Sequence, residues 1–418
     1  MRLTFLADLR SPIAVQWIRH FVDRGYPVQA ISSHPVPRGV IPGADTATLP
    51  LVLPGQRQNP GRPGPERAGR PSTMGLAAHW ATPQRVAAIR SLCGPVAVRA
   101  KRRRLQRLVD QHRPDLVHAM RMPFEGIAAG RLIDRPLVIS IWGNDFTLFA
   151  DRTPMMARAT RQALAAADAL HCDCNRDARL AGSWGFPDGR TLWVLPGNGG
   201  IDRSVFYPAR GVLHSLLGIP EQARIILNPR GIREYVRNDI FFRALPAVFE
   251  SCPDSHVICT GMAGSRYAED LIAEARLDRS RIHLLPVLEH HVMADAFRSS
   301  CVSVSLSEHD GTPNTLLESM ACGTLPVAGD IASVREWIQD GINGILVSPR
   351  DPTVVATAIT RALSDHGLAS LAHRENQRLV RERADYHKNM TEMESRYEEL
   401  VKVNSGPRVY TEIIRSPE

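Results

Sequence analysis

Short apolar runs recur along this chain in two sets, and each gives way to a polar or glycine-bearing loop. Leu3–Leu6 is the first. Ser11-Pro12 then opens a stretch in which Ile13, Trp17 and Phe21 recur four residues apart, Gly25 closes it, and Val28–Ile31 is apolar again. Strand, amphipathic helix, strand in that order predicts a βαβ unit and a parallel sheet. Runs at Leu116–Ala119, Leu137–Ile141, Ala169–Cys172 and Leu192–Leu195 complete the first set. The second holds Ile225–Asn228, His256–Thr260, Ile282–Leu285, Val302–Leu306 and Leu325–Ala328, with helices fitting between. Two such series joined near Phe206–Gly211 predict an α/β fold of two Rossmann-like, doubly wound domains facing a cleft. The expected bounds are 1–205 and 206–385, followed by a segment 386–418 carrying a charged amphipathic helix at Lys388–Val401. In open α/β sheets ligands sit beyond the carboxyl ends of strands. The loops Met120–Gly126, Trp142–Asp145, Asp173–Asp177 and Pro196–Gly200 are therefore expected to face the cleft.

A chain of 418 residues exceeds one ordinary core, which agrees with two domains. No apolar run approaches the ~18 residues of a membrane span. The start, Met-Arg-Leu-Thr-Phe-Leu-Ala-Asp, reads as a first strand rather than a signal peptide, so a cytoplasmic protein is expected. Seven scattered cysteines do not form a disulfide framework. Cys172 and Cys174 alternate with His171 and Asp173, but one Cys-x-Cys without a second pair reads as two buried thiols rather than a metal site. A formal charge of +8 favours anionic partners without choosing among them. The densest basic run, Lys101 to Arg104 with Arg107, has no interleaved aromatics, which argues against nucleic acid. It reads as a solvated helix face or as a contact with an anionic membrane surface. Residues 52–74, rich in proline, glycine and arginine, are expected to be a mobile loop, with a helix from about Pro95 to His112 after it. The first βαβ unit lacks the G-x-G-x-x-G turn of a dinucleotide site.

Chemistry concentrates between Asp310 and Gly323: Asp-Gly-Thr-Pro-Asn-Thr-Leu-Leu-Glu-Ser-Met-Ala-Cys-Gly. A Gly-Thr-Pro loop entering a helix offers free backbone N–H groups to a diphosphate. Asp310 before it and Glu318, placed in the helix's first turn, suit sugar or ribose hydroxyls, because carboxylates accept short charge-assisted hydrogen bonds. The combination fits a nucleotide sugar.

Together with Trp142-Gly143-Asn144-Asp145, the Pro196–Pro208 segment and Asn228-Pro229-Arg230-Gly231, this block resembles the retaining glycosyltransferases of the GT-B fold, close to family 4 (glycosyl transferases group 1). The resemblance runs through nearly the whole chain in the right order, and the 310–344 block is its most specific part. The family carries two glutamates separated by seven residues. Asp310 holds the first position and Glu318 the second. By resemblance, Glu318 binds the donor ribose. Asp310 contacts the transferred sugar with help from Gly311, Thr312, Pro313, Asn314 and Thr315, and Arg230 takes the diphosphate. Asp310 is one methylene shorter than the family's residue, and Glu308 is a substitute with the wrong spacing. The family's phosphate lysine falls on Tyr235, leaving Arg233 or Arg237 to replace it, Arg237 being the choice here. Gly261 and Leu288 fall where the family seats the base. Ser11, Trp142 and Asp145 fall on the acceptor side. Asp145 either faces the acceptor or caps the next helix, and His118 reads as a buried, satisfied histidine. Trp142 stands where many members carry a histidine.

The resemblance implies a UDP- or GDP-linked sugar as co-substrate and a glycan or lipid-linked acceptor. No cofactor or metal is expected beside cations such as Arg230, and the basic first domain fits a peripheral place on the inner face of the plasma membrane. A second reading is a catalytically silent GT-B protein that binds sugar nucleotide or glycan. A third, a sugar-nucleotide epimerase, needs acid/base carboxylates in the first domain, where the sequence displays no clear pair.

Overall fold

The computed structural model describes residues 1–37, 39–51, 83–130, 132, 135–233 and 235–404, with the backbone alone for 83–93. The expected loop at 52–74 lies outside the described residues.

The apolar runs form strands buried on both faces, as parallel strands between helical layers must be. In the first domain they are β1 (Leu3–Ala7), β2 (Val28–Ser32), β3 (Asp45–Thr48), β4 (Leu116–Ala119), β5 (Leu137–Ile141), β6 (Ala169–Cys172) and β7 (Thr191–Val194). They pair in the order β3-β2-β1-β4-β5-β6-β7. The second sheet contains β8 (Arg224–Asn228), β9 (Ser255–Cys259), β10 (Ile282–Leu284), β11 (Val302–Ser305), β12 (Leu325–Gly329) and β13 (Ile345–Val347), in the order β10-β9-β8-β11-β12-β13. Every pairing is parallel.

The first-domain helices are α1 (Pro12–Asp23), α2 (Pro83–His112), α3 (Ile127–Ala129), α4 (Pro154–Ala166) and α5 (Asn175–Ser183). The second domain has α6 (Leu213–Leu217), α7 (Asn238–Ser251), α8 (Arg266–Glu274), α9 (His290–Arg298), α10 (Asn314–Cys322), α11 (Pro352–Ser364) and α12 (His366–Arg383), before α13 (Tyr386–Asn404). Two strands escape the sequence reading, β3 and β13. Both are edge strands: Asp-Thr-Ala-Thr has no apolar run, and Ile345–Val347 is too short to declare itself. Helix α2 runs through Pro95 instead of starting near it. A proline removes one backbone donor but need not end a helix whose next turns pack, and Val98, Leu105 and Val109 are buried in the first-domain core.

Helix α13 follows the second domain in sequence but joins the first domain's core. Its Tyr386, Met390, Met393, Tyr397 and Leu400 share one apolar cluster with Phe5, Trp17 and Phe21. A buried polar chain fixes the join. The Trp17 indole donates to Tyr397 Oη at 3.3 Å, and Tyr397 donates to His118 Nδ1. His118 Nε2 donates to Ser140 Oγ (2.7 Å), Ser140 to His171 Nδ1 (2.9 Å), and His171 Nε2 to the Leu195 carbonyl (3.0 Å). An indole N–H only donates and a carbonyl only accepts, so both ends set one direction and both imidazoles are neutral. Burial agrees, pushing His118 well below the usual histidine range and His171 down to about 4. His118 is thus buried and satisfied, as the sequence reading held.

The chain crosses between domains at two adjacent places. Ile201 N–H donates to the Ala384 carbonyl (2.7 Å), and Tyr386 N–H to the Ile201 carbonyl (3.1 Å).

Candidate active site

In each sheet the strand order reverses once, between β1 and β4 in the first and between β8 and β11 in the second. Such switch points open a crevice at the strands' carboxyl ends. Asp8 follows β1, Arg121 and Glu125 follow β4, Arg230 follows β8 and Asp310 follows β11. All five line one cavity of about 730 Å³ between the domains.

On the second-domain side the lining includes Arg230, Gly261, Leu288, Asp310, Thr312, Pro313, Asn314, Thr315 and Glu318. Helix α10 begins at Asn314, so its first free N–H groups lie beside the cavity-lining Pro313, Asn314 and Thr315. Glu318 starts the second helical turn rather than lying in the first, where no acid is found. A helical side chain leans toward the N-terminus, which returns Glu318 to the cavity. Burial pushes its carboxyl up to about 7, opposed by the charge of Arg230. Arg230 Nη2 donates to Asp310 Oδ2 at 2.5 Å and Nη1 to Thr315 Oγ1 at 3.3 Å, while its buried Nε has no protein partner. Cation and acid neutralise each other here, and a diphosphate would compete for the guanidinium. Gly261 has φ +69°, a conformation that excludes other residues without strain, and its N–H donates to the Pro286 carbonyl.

Two expected donor residues do not line the cavity. Arg237 clasps Asp239 through Nε (2.9 Å) and Nη2 (2.8 Å), and its third contact is Glu308. Arg233, three residues beyond Arg230, lines the cavity instead. Glu308 is taken by Arg237 and Arg350, which removes it as a substitute for Asp310. Gly311 lies behind the lining, against the first domain.

On the first-domain side Ser11, at the start of α1, and Trp142 line the cavity. Asp145 does not. It is fully buried, off the cavity lining, and within the helical turn rather than capping it. Its carboxylate accepts from Arg121 Nε (2.9 Å) and from the Met122 and Trp142 N–H groups (3.1 Å each), bracing the wall from behind. Three carboxyl groups line this side: Glu125 and Asp173, on loops expected to face the cleft but not singled out there, and Asp8. Asp8 is clasped by Arg10. Glu125 accepts from Ser33 Oγ, and burial raises it to about 7. Each follows a strand, a signal present in the sequence. Their convergence depends on strand order, which is not. Trp142 and Asn144 also line the cavity, and their Nε1 and Oδ1 atoms are buried without protein partners.

The domains touch where Trp142–Asn144 meets the acid loop. A Cβ on Gly143 would fall 1.9 Å from Gly311 N, and one on Gly311 would fall 2.1 Å from Asp173 Oδ2. Asp173 Oδ2 accepts from Gly143 N–H at 3.1 Å. Asp173 Oδ1 and Asp177 Oδ2 are buried without a hydrogen-bond partner. Burial, then the Asp177 charge, holds Asp173 well above the carboxylate range. Asp173, Cys174 and Asp177 have ligand-type atoms within 4.8 Å of one another, all buried. Arg176 donates to the carbonyls of Asp310 and Gly143 at 2.6 Å each, and Glu336 accepts from the Asn175 and Arg176 N–H groups at 2.8 Å each. Arg176 lies in a loop expected to face the cleft and Glu336 in the block that carries the resemblance, but their pairing across the domains has no local pattern in the sequence.

Two doubly wound domains facing a cleft, with a helix start and acids at the second switch point, define the GT-B class. Residues 11–197 match the family profile described as glycosyl transferase 4-like domain, and residues 225–365 the one described as glycosyl transferases group 1. The chain belongs to this family. It is 30% identical over 240 residues to D-inositol 3-phosphate glycosyltransferase of Geodermatophilus obscurus, covering 54% of this chain and 52% of that protein. The match to the same-named protein of Streptosporangium roseum is 28% over 225 residues, covering 50% and 51%. The chain thus spans about half the length of the curated relatives it matches. Sucrose-phosphate synthase of Thermosynechococcus elongatus superposes with TM-score 0.72 at 17% identity, over 96% of this chain and all of that one. Anabaena HepE in complex with UDP and glucose gives 0.70 at 15%, over 96% and 100%. At such identities the likeness shows the shared fold.

Proposed function

We propose that the protein is a retaining glycosyltransferase that moves a sugar from a UDP- or GDP-linked donor to a hydroxyl of its acceptor. The observation that carries this reading is the meeting of Arg230, the start of α10, Asp310 and Glu318 in one interdomain cavity. Glu318 takes the ribose hydroxyls, Arg230 and the α10 N–H groups take the diphosphate, and Asp310 takes the sugar once Arg230 has turned to phosphate. The bond from the anomeric carbon to the diphosphate oxygen breaks. The acceptor oxygen bonds the same face, and its proton passes to the leaving phosphate. The protein's contribution is positioning and charge stabilisation, with no metal needed for the leaving group beside these cations.

The relatives' names mention inositol phosphate, sucrose phosphate and trehalose phosphate, so a small phosphorylated polyol joins glycans and lipid-linked sugars as an acceptor class. A role in polysaccharide or glycolipid synthesis at the cytoplasmic membrane face fits a second groove. Arg99, Arg102, Arg103, Arg107 and Arg135 line it with one acid, Asp110. No helix among the described residues is long and apolar enough to cross a membrane. The Arg230–Asp310 ion pair favours a second reading, a silent binding protein whose site is closed on itself.

Purified protein offered UDP- and GDP-sugars in turn decides between them. Nucleotide release that depends on Glu318 and Arg230 is the expected result. Stabilisation by a nucleotide sugar with no release from any donor, with or without acceptor, would establish the silent reading.

A further inference from the structure

We propose that Arg176 is a positioning residue that, with Glu336, latches the two domains shut and sets the acid loop as they close. Beside the latch lies a hinge, where Arg383 Nη1 donates to the Glu336 carbonyl at 2.8 Å. The two crossings, Gly199–Ile201 and Ala384–Tyr386, are hydrogen-bonded side by side, so the domains can rotate about one line without stretching either strand of chain. Asn389 Nδ2 ties the first crossing to α13 through the Gly199 carbonyl at 2.9 Å.

Across the seam between the domains the contacts are polar and reciprocal. The Arg176 guanidinium is anchored in its own domain by the fully buried Asp177, at 2.9 Å from Nε and 2.7 Å from Nη2. Its Nη1 crosses to the Asp310 carbonyl, while Nη2 holds the Gly143 carbonyl. In return, Glu336 of the second domain accepts from the first N–H groups of α5 and from Asn175 Nδ2 (2.8 Å), an anion at a helix start. Ser333 Oγ donates to the same Asp310 carbonyl at 2.7 Å. Asp310 is thus held twice: its carbonyl by Arg176 and Ser333, its carboxylate by Arg230. When the domains part, Asp310 keeps Ser333 and Arg230 and loses Arg176. The peptide leading into Gly311 is then fixed from one side only.

The latch closes on bare backbone. Gly143 meets the Asp310–Gly311 peptide and Gly311 meets the Asp173 carboxyl, each with no room for a Cβ. Every polar group in the latch is one that water satisfies on opening, so the contact is reversible. Closure and the geometry offered to the donor's sugar are therefore one event. The closure claim stands on these contacts alone, whereas the positioning claim rests on the donor site proposed above.

Solution X-ray scattering of the ligand-free protein tests closure. The wild type is expected to give the compact form. Arg176→Ala and Glu336→Gln are expected to increase the radius of gyration, and Arg176→Lys to lie between. Gly143→Ala is expected to do the same without removing a polar group, so a misfolded Arg176→Ala does not spare the proposal. Scattering identical to wild type in Gly143→Ala and in the Arg176 and Glu336 variants overturns it. Calorimetric titration with UDP and with UDP-glucose tests positioning. Arg176→Ala is expected to leave UDP affinity near wild type and to lose most of the gain that glucose adds, with partial rescue by Arg176→Lys. Equal losses for both ligands, or a wild type with no gain from glucose, overturn the positioning claim. If neither ligand binds the wild type, the donor-site reading fails and the positioning claim with it, while the scattering result still judges the latch.

Discussion

At the scale of single residues, two acids expected at the donor site, Asp310 and Glu318, both line the interdomain cavity. Glu318 was legible because a carboxylate eight positions after Asp310 falls in a helix behind a Gly-Thr-Pro loop. Its burial was not, because that depends on what packs around the helix. Burial holds the free carboxyl at about 7, above its ordinary 4.5. Ribose hydroxyls bind the ionised form, so below pH 7 binding must expel a proton. Nucleotide affinity should therefore rise with pH up to about 7 and level off above it, by at most about tenfold per pH unit. Glu318→Gln should flatten the slope, and calorimetry across pH 5.5–8 checks it. The same raised value works the other way on stability: the group favours the fold most below pH 4.5, and that contribution is lost as pH rises through 7. Asp310 carries a different expectation. Asp310→Asn frees Arg230 from its ion pair, so binding of UDP should hold or tighten while binding of sugar nucleotides weakens. Weaker UDP binding in that variant would show that the pair pre-organises Arg230 instead of restraining it.

At the scale of elements, the central strands were legible and the edges were not. Leu116–Ala119, Leu137–Ile141 and Ala169–Cys172 appear at the expected residues because burial on both faces demands continuous apolar runs. Strands β3 and β13 sit at edges, where pairing rather than composition makes the strand. Arg237 was misassigned for a related reason: proximity to Arg230 in sequence says nothing of Asp239, two residues on, which claims the guanidinium. Helix α13 offers the clearest energetic test. Tyr397→Phe removes the donor to His118 and the acceptor of Trp17 in a fully buried chain. It should cost about 1–3 kcal/mol in chemical denaturation. No loss would mean that the tyrosine is not the link between α13 and the first sheet. Stability should also fall below about pH 6.5, because the unfolded histidines take up protons that the buried His118 and His171 refuse.

At the scale of the whole molecule, two series of apolar runs announced two domains, and the family motif located the donor half of the cleft. The sequence reading set 386–418 apart, whereas residues 386–404 complete the first domain's core. Cutting the chain after Asp385 should therefore expose the face around Phe5, Trp17 and Phe21 and yield an aggregating protein, as size-exclusion chromatography would show. A monomer with an unchanged melting temperature would contradict that packing. The meeting of Gly143 with Gly311, and of Arg176 with Asp310, left no trace in sequence because it joins segments more than a hundred residues apart across a hinge. The central claim is that the second switch point binds a nucleoside diphosphate through phosphate and ribose separately. Titration of UDP and of uridine into wild type, Arg230→Ala and Glu318→Ala tests it most directly. The account expects Arg230→Ala to weaken UDP by roughly 10- to 100-fold with uridine little changed, as loss of a charged hydrogen-bond partner predicts. It expects Glu318→Ala to weaken both ligands alike. Wild-type affinity for UDP in both variants would contradict it.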